Sequence, residues 1–162
     1  MNIHNVNAVA AISGGADSAC MAYLLKKQGY HVGGIYLRMF DSNEADQALQ
    51  DAVKIADLLA IPFEVIDVRG KFDKEIVQPF TCDYLSGLTP NPCLRCNPLI
   101  KWNQMVVHLD LKPHQYIATR HYAIIDRSTG KFPTLRRSPF KDQSYFLSRL
   151  TRKNIKRTLL PI

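Results

Sequence analysis

Two stretches of this chain hold residues that could do chemistry. The first is Ser13-Gly14-Gly15-Ala16-Asp17-Ser18, which follows the apolar run 6–12 and precedes an amphipathic helical pattern. Strand, glycine turn and helix in that order build a phosphate cradle. Glycine lets the backbone turn tightly and approach an anion with no Cβ in the way. The helix opening near Asp17 aims unpaired N–H groups and its positive dipole end at that anion. Ser13 and Ser18 add hydroxyl donors. An acid at a place built for anions calls for a bridging cation, so Asp17 implies Mg²⁺.

The second stretch is Thr89-Pro90-Asn91-Pro92-Cys93-Leu94-Arg95-Cys96-Asn97. Pro90 and Pro92 fix their own φ and disfavour helix at the residue before each. Such a loop holds a side chain in place at low entropic cost. Cys96 falls near the start of a helix expected over 99–109, beside Arg95 and Lys101. Its thiol is therefore expected to ionise easily. Three chemistries compete for Cys93 and Cys96. A zinc or iron–sulfur site needs further ligands, with Cys20 and Cys82 as candidates. A thioredoxin-like redox pair is expected after the first strand, where this motif does not lie. A nucleophilic thiol fed by a sulfur donor suits the phosphate loop best.

The phosphate loop is specific in type. No Gly-Lys-Ser/Thr follows, so it is not a Walker A loop, and the dinucleotide pattern Gly-x-Gly-x-x-Gly is absent. Ser-Gly-Gly-x-Asp-Ser resembles the pyrophosphate loop of the ATP pyrophosphatases, which cleave ATP between its α and β phosphates. The plain alternative is an ordinary glycine-rich strand-to-helix turn.

The elements that must position these residues alternate. Residues 6–12 read as a buried strand, and 17–28 as a helix with Met21, Leu24, Leu25 and Gln28 on one stripe, stopped by Gly29. His31–Leu37 reads as a second strand. Asp41–Glu44 is polar loop, and a long helix runs from Ala45 to Leu59 on an i, i+3, i+4 rhythm. Phe63–Val68 is a third strand. Pro79 should bend or split a helix over 71–84. Gln115–Thr119 is a fourth strand. Residues 122–126 and 132–136 form a hairpin around Ser128-Thr129-Gly130. Short helices near Ser144 and after Thr151 finish the chain. The fold class is α/β, a Rossmann-like parallel sheet with helices on both faces. Ligands of such sheets bind beyond the carboxyl ends of the strands.

The 162 residues, 46% apolar and 22% charged, fit one globular domain. No apolar run is long enough for a membrane and the N-terminus lacks a signal-peptide layout. No membrane partner, a cytoplasmic location and four reduced cysteines are expected. Cys20 and Cys82 read as buried residues, Trp102 as core packing, and His121 as a hydrogen-bonded structural residue. The net charge is +7. Basic residues crowd the second half, from Arg95 to Arg157, where Asp110, Asp126 and Asp142 are the acids. Nucleic acid is the simplest partner for such a half, against plain solubility or an acidic partner domain. The apolar ending Leu159-Leu160-Pro161-Ile162 reads as a chain cut short.

Four segments together resemble the N-terminal domain of the tRNA-specific 2-thiouridylases. They are Ser13–Ser18, Thr89-Pro90-Asn91-Pro92 with Cys96-Asn97, His121-Tyr122-Ala123, and Lys141-Asp142-Gln143-Ser144-Tyr145-Phe146-Leu147. The resemblance implies an ATP-pyrophosphatase domain over residues 1–162, with the family's central domain and C-terminal β-barrel absent. It implies ATP-dependent 2-thiolation of the wobble uridine through an adenylated intermediate and a cysteine persulfide. Ala11, Ile12, Ser13, Gly14, Gly15, Ala16, Asp17 and Ser18 would hold the ATP phosphates, and Leu37 would lie near the adenine. Asn91, Pro92 and Cys93 would face the target base. Cys96 would be the nucleophile. Lys141, Asp142 and Gln143 would touch tRNA. ATP, Mg²⁺, tRNA and a persulfide sulfur-donor protein are the implied partners, with an iron–sulfur cluster at Cys93/Cys96 as the other cofactor option.

The chain departs from that family at two points. Arg120 stands where the family carries glycine. It could pair with phosphate or fill the adenosine site, and its size favours impaired ATP binding. The family's second catalytic cysteine would lie beyond Ile162, so the persulfide step would need a thiol from Cys93 or from another protein. Two alternatives follow: a tRNA- or nucleotide-binding module without turnover, and another adenylating enzyme with the same phosphate loop.

Overall fold

A computed structural model describes residues 3–108, 115–128 and 132–162. Five parallel strands form the main sheet: β1 (Ala8–Ala11), β2 (Val32–Arg38), β3 (Phe63–Asp67), β4 (Tyr116–Ala118) and, after a separate antiparallel pair of β5 (Ala123–Asp126) and β6 (Thr134–Arg137), β7 (Thr158–Leu159). Their spatial order is β3-β2-β1-β4-β7. Val9 lies between Gly33 and Ile117, and Ala10 between Gly34 and Ala118. Strand alternation sends Val9, Ile35 and Ile117 into one core and Ala10, Tyr36 and Ala118 into the other. A strand buried on both faces has no polar side, which is why residues 6–12 read as nearly continuous apolar sequence.

Helices α1 (Ala16–Lys27) and α2 (Asn43–Leu58) cover one face, through Met21, Ala22, Leu25 and Ala52. Two broken helical runs cover the other. The first is α3 (Arg69–Phe72), a π-turn (Asp73–Val77) and α4 (Gln78–Leu85). The second is α5 (Cys93–Cys96), a π-turn (Asn97–Trp102) and α6 (Asn103–His108). Phe72, Ile76, Ile100, Trp102 and Met105 meet there. The first π-turn ends two residues before Pro79, and the second contains Pro98. Proline lacks an N–H and crowds the carbonyl one turn back, and the wider turn relieves both. A 3₁₀ turn (Ser144–Leu147) and α7 (Arg152–Lys156) follow. Thr151 caps α7 by accepting from the Asn154 N–H. Among the described residues no helix is long and apolar enough to cross a membrane.

The sheet and helix order match expectation, with five local differences. The buried stripe of α1 is Ser18, Met21, Ala22 and Leu25, while Gln28 is exposed at the cap. Helix α2 starts at Asn43 because the Ser42 side chain accepts from Ala45 N–H, so 41–44 is only half loop. The helix expected from 99 begins at Cys93. Cys20 and Cys82 are exposed rather than buried, since α1 buries one stripe only and α4 buries no residue. In the same fold Thr158 and Leu159 pair with β4, and Leu159 and Ile162 pack on the core. Strand β6 covers Thr134–Arg137, a shift from the expected 132–136. The turn residues Thr129 and Gly130, and Leu109 at the end of the expected 99–109 helix, lie outside the described residues.

Candidate functional site

The chain runs outward from β1 to β2 and β3, then returns to β4 on the other side of β1. That reversal opens a crevice beyond the carboxyl ends of β1 and β4. A cavity of about 500 Å³ occupies it. Ala11, Ile12, Ser13 and Leu37 line one side, at the ends of β1 and β2. Cys93, Asn97 and Lys101 line the other, and Arg120, His121, Gln143 and Phe146 complete it.

The two loop glycines differ in purpose. Gly14 has φ +81°, and a Cβ there would stand 2.4 Å from the Ala48 carbonyl oxygen. Helix α2 therefore demands this glycine, whatever the loop binds. Gly15 has an ordinary φ of −91°. A Cβ there would meet only Ser13 Oγ, at 3.9 Å. The ground in front of Gly15 is open to an anion. No side chain caps α1; Ser18 N–H is taken by the Gly15 carbonyl at 3.1 Å, which leaves the Ala16 and Asp17 N–H groups for a ligand.

Ser18 is not the donor expected of it. It is fully buried, its hydroxyl donates to the Gly15 carbonyl at 2.7 Å, and it accepts from Ser13 N–H at 3.1 Å. Its only proton is used inside the loop. Ser18 holds the turn, and exposed Ser13 faces the cavity.

Asp17 is tied to the loop after β4. Tyr122 O–H donates to Asp17 Oδ2 at 3.1 Å. Arg120 Nη1 stands 3.7 Å from the same oxygen. Lys141 Nζ lies 4.5 Å from the centroid of the Tyr122 ring. The hydrogen bond to Asp17 holds the Tyr122 phenol above its usual pKa. Arg120 lines the cavity and is half-exposed. Mg²⁺ would find one carboxylate here, already faced by a guanidinium. Among the described residues no three His, Cys, Asp or Glu side chains converge.

The thiol wall reverses an expectation. Cys93 is exposed and lines the cavity, whereas Cys96 is 7% exposed and belongs to the core. Burial pushes the Cys96 thiol up, with Lys101 opposing. The easy ionisation expected of Cys96 fails because the helix starts at Cys93, which leaves Cys96 a turn inside it. Asn91 closes that start, its Oδ1 accepting from Cys93 N–H at 3.1 Å. Asn91 and Pro92 are half-buried beside the cavity and do not line it. Asn97, one residue on, is fully buried. Its Nδ2–H donates to the Phe146 carbonyl at 2.7 Å, and its Oδ1 has no protein partner.

His121 is hydrogen-bonded, as expected, and stands at the cavity wall. Its Nδ1 lies 2.9 Å from Thr119 Oγ1, and burial, with Lys101 and Arg120 nearby, lowers its pKa to about 3. Trp102 is buried, its Nε1–H donating to Thr158 Oγ1.

The 141–143 segment divides. Gln143 lines the cavity and is bound both ways to the Tyr122 backbone. Asp142 is turned inward: it accepts from Ser138 N–H, Ser144 N–H and Ser144 O–H, and pairs with Arg137. Lys141 is exposed. The basic half is also partly structural. Arg157 is buried and donates to the Gln115 carbonyl, Arg127 donates to the Thr158 carbonyl, and Arg136 pairs with Asp126. Arg149, Lys153 and Lys156 are exposed.

The fold and crevice define a parallel-sheet domain with a glycine turn into a helix at its switch point. The family described as "tRNA methyl transferase HUP domain" matches residues 6–162, and the chain belongs to it. The tRNA-specific 2-thiouridylase MnmA of Clostridium perfringens is 35% identical over 94% of this chain and 46% of its own length. That of Syntrophotalea carbinolica is 37% identical over 100% of this chain and 48% of its own. The chain spans about half the length of the curated relatives it matches. Among solved structures, the U34-tRNA thiolase NcsA from Methanococcus maripaludis is 22% identical with a TM-score of 0.48, over 72% of this chain and 38% of that one. That likeness is too slight to carry an argument.

Proposed function

We propose that this chain activates the C2 carbonyl of a tRNA uridine with ATP and passes sulfur to that carbon from a cysteine persulfide. One observation carries the reading: a single cavity is lined by the phosphate loop, at Ser13, and by an exposed thiol, Cys93. Phosphates lie before Gly15 and the open start of α1. The nucleoside lies along Ile12 and Leu37. The uridine O2 attacks the α-phosphorus, pyrophosphate leaves, and a good leaving group replaces a poor one. The terminal sulfur of a persulfide on Cys93 then attacks C2 and AMP departs. A second thiolate attacks the Cys93 sulfur. This frees the thiocarbonyl and leaves a disulfide, which an external dithiol reduces. Cys96, in the same helical turn, or a thiol from another protein serves as that second group. A persulfide-donor protein loads Cys93 from outside, and Arg149, Lys153 and Lys156 meet the tRNA backbone.

The test is tRNA-stimulated release of AMP, with mass spectrometry of the tRNA for 2-thiouridine. The unmodified chain should give both with a persulfide donor present. Cys93→Ser should keep AMP release and lose thiolation. The Arg120–Asp17 contact favours a second reading, a binding module without turnover. Binding of tRNA with no AMP formed would establish that reading instead.

A further inference from the structure

Asp17 is the acid of the phosphate loop, yet a fixed positive charge already faces it. Arg120 Nη1 is 3.7 Å from Asp17 Oδ2, and Tyr122 O–H donates to that same oxygen at 3.1 Å. A guanidinium does not lose its proton at physiological pH, so this charge is permanent. Arg120 also lines the cavity that Ser13 borders. Its side chain is 51% exposed, free enough to turn from the carboxylate to an incoming phosphate. A divalent cation on Asp17 Oδ2 would have to sit against the guanidinium, where like charges repel. The same place therefore holds a cation that belongs to the protein.

We infer that Arg120 is the counter-cation of this loop: it neutralises the nucleotide's phosphates directly, and binding of ATP does not require a divalent ion on Asp17. In the free protein Asp17 and Tyr122 park the guanidinium beside the loop. In the complex Arg120 exchanges the carboxylate for phosphate oxygens, which its planar fork matches in pairs. This inference rests on the proposed function, since it needs ATP at the loop.

The test is calorimetric titration of the full chain with ATP, in magnesium and after chelation with EDTA. The unmodified chain should bind with affinities within about 3-fold of each other, because its own cation is always present. Arg120→Gly should bind roughly 10-fold more weakly in EDTA than in magnesium, since only a divalent ion can then screen the phosphates. Arg120→Lys should fall between, a point charge without the fork. Asp17→Asn should bind ATP in EDTA at least as well as the unmodified chain, because an opposing carboxylate is gone. Equal dependence on magnesium in the unmodified chain and Arg120→Gly overturns the inference and leaves the functional reading standing. If folded protein of every variant fails to bind ATP in either condition, the functional reading falls and takes this inference with it. Circular dichroism on each variant separates that result from misfolding.

Discussion

The two sides of the cavity are stiff for different reasons. The phosphate side is held by packing between elements: Gly14 passes under the Ala48 carbonyl, and buried Ser18 ties the turn to itself. The thiol side is held by chain stiffness, from Pro90 and Pro92 into a helix that Asn91 closes. The first kind of rigidity fails when a neighbour is touched. The second is local, and what matters there is which way each cysteine faces on its helix. A loop can thus look made for its ligand while one of its glycines answers to the fold.

The strongest break in that comparison is at the glycines. Gly14→Ala combines a left-handed φ with a backbone clash and should cost about 3 kcal/mol in thermal or urea unfolding. Gly15→Ala should change stability by about 1 kcal/mol or less, and show its effect in ATP binding instead. Equal destabilisation by both would erase the distinction drawn between them.

Next comes the order of the thiols. At neutral pH iodoacetamide should label Cys93 roughly 10-fold faster than Cys96, because one is exposed and the other is buried with its pKa raised. Peptide mass spectrometry reads this directly. Faster labelling of Cys96 would restore it as the ready thiolate.

A smaller effect tests the floor between the two sides. His121 has a folded pKa near 3 against an ordinary 6.5. As pH falls below 6.5 the unfolded chain takes up that proton first, so stability declines from there toward pH 3. His121→Asn should lose about 0.7 kcal/mol less than the unmodified chain between pH 7 and pH 6. Parallel acid denaturation curves would show that His121 is not buried as described.

The smallest effect belongs to the tie across the loop. Tyr122→Phe removes the hydrogen bond to Asp17 and should cost about 0.5 kcal/mol in thermal unfolding, since water can replace it at an exposed carboxylate. A loss of several times that would make this contact a structural strut.

Much of the frame was legible because it is written in local pattern. The apolar runs at 6–12 and 31–37, the 3.6-residue rhythm of α2, and Pro79 at a helix break each act through neighbours a few residues away. Capping is partly legible: a helix is expected just after Thr151, which caps it, whereas Ser42 goes unread because Asp41 to Glu44 also suits a loop. Strand β7 offered two residues, too few for any period to show. The fates of Cys20 and Cys82 were misread because a small side chain on a helix declares no face by itself.

From residue order alone came the parallel α/β sheet, the glycine turn into a helix at its first strand, and the proline-stiffened cysteine loop. Those rest on backbone sterics and periodicity, which act over a few residues. Only the folded arrangement decided that Cys93 and not Cys96 meets the cavity, that Ser18 is spent within its own turn, and that Arg120 stands over Asp17. Each of these depends on segments far apart in the chain meeting at one place, and no local pattern encodes such a meeting.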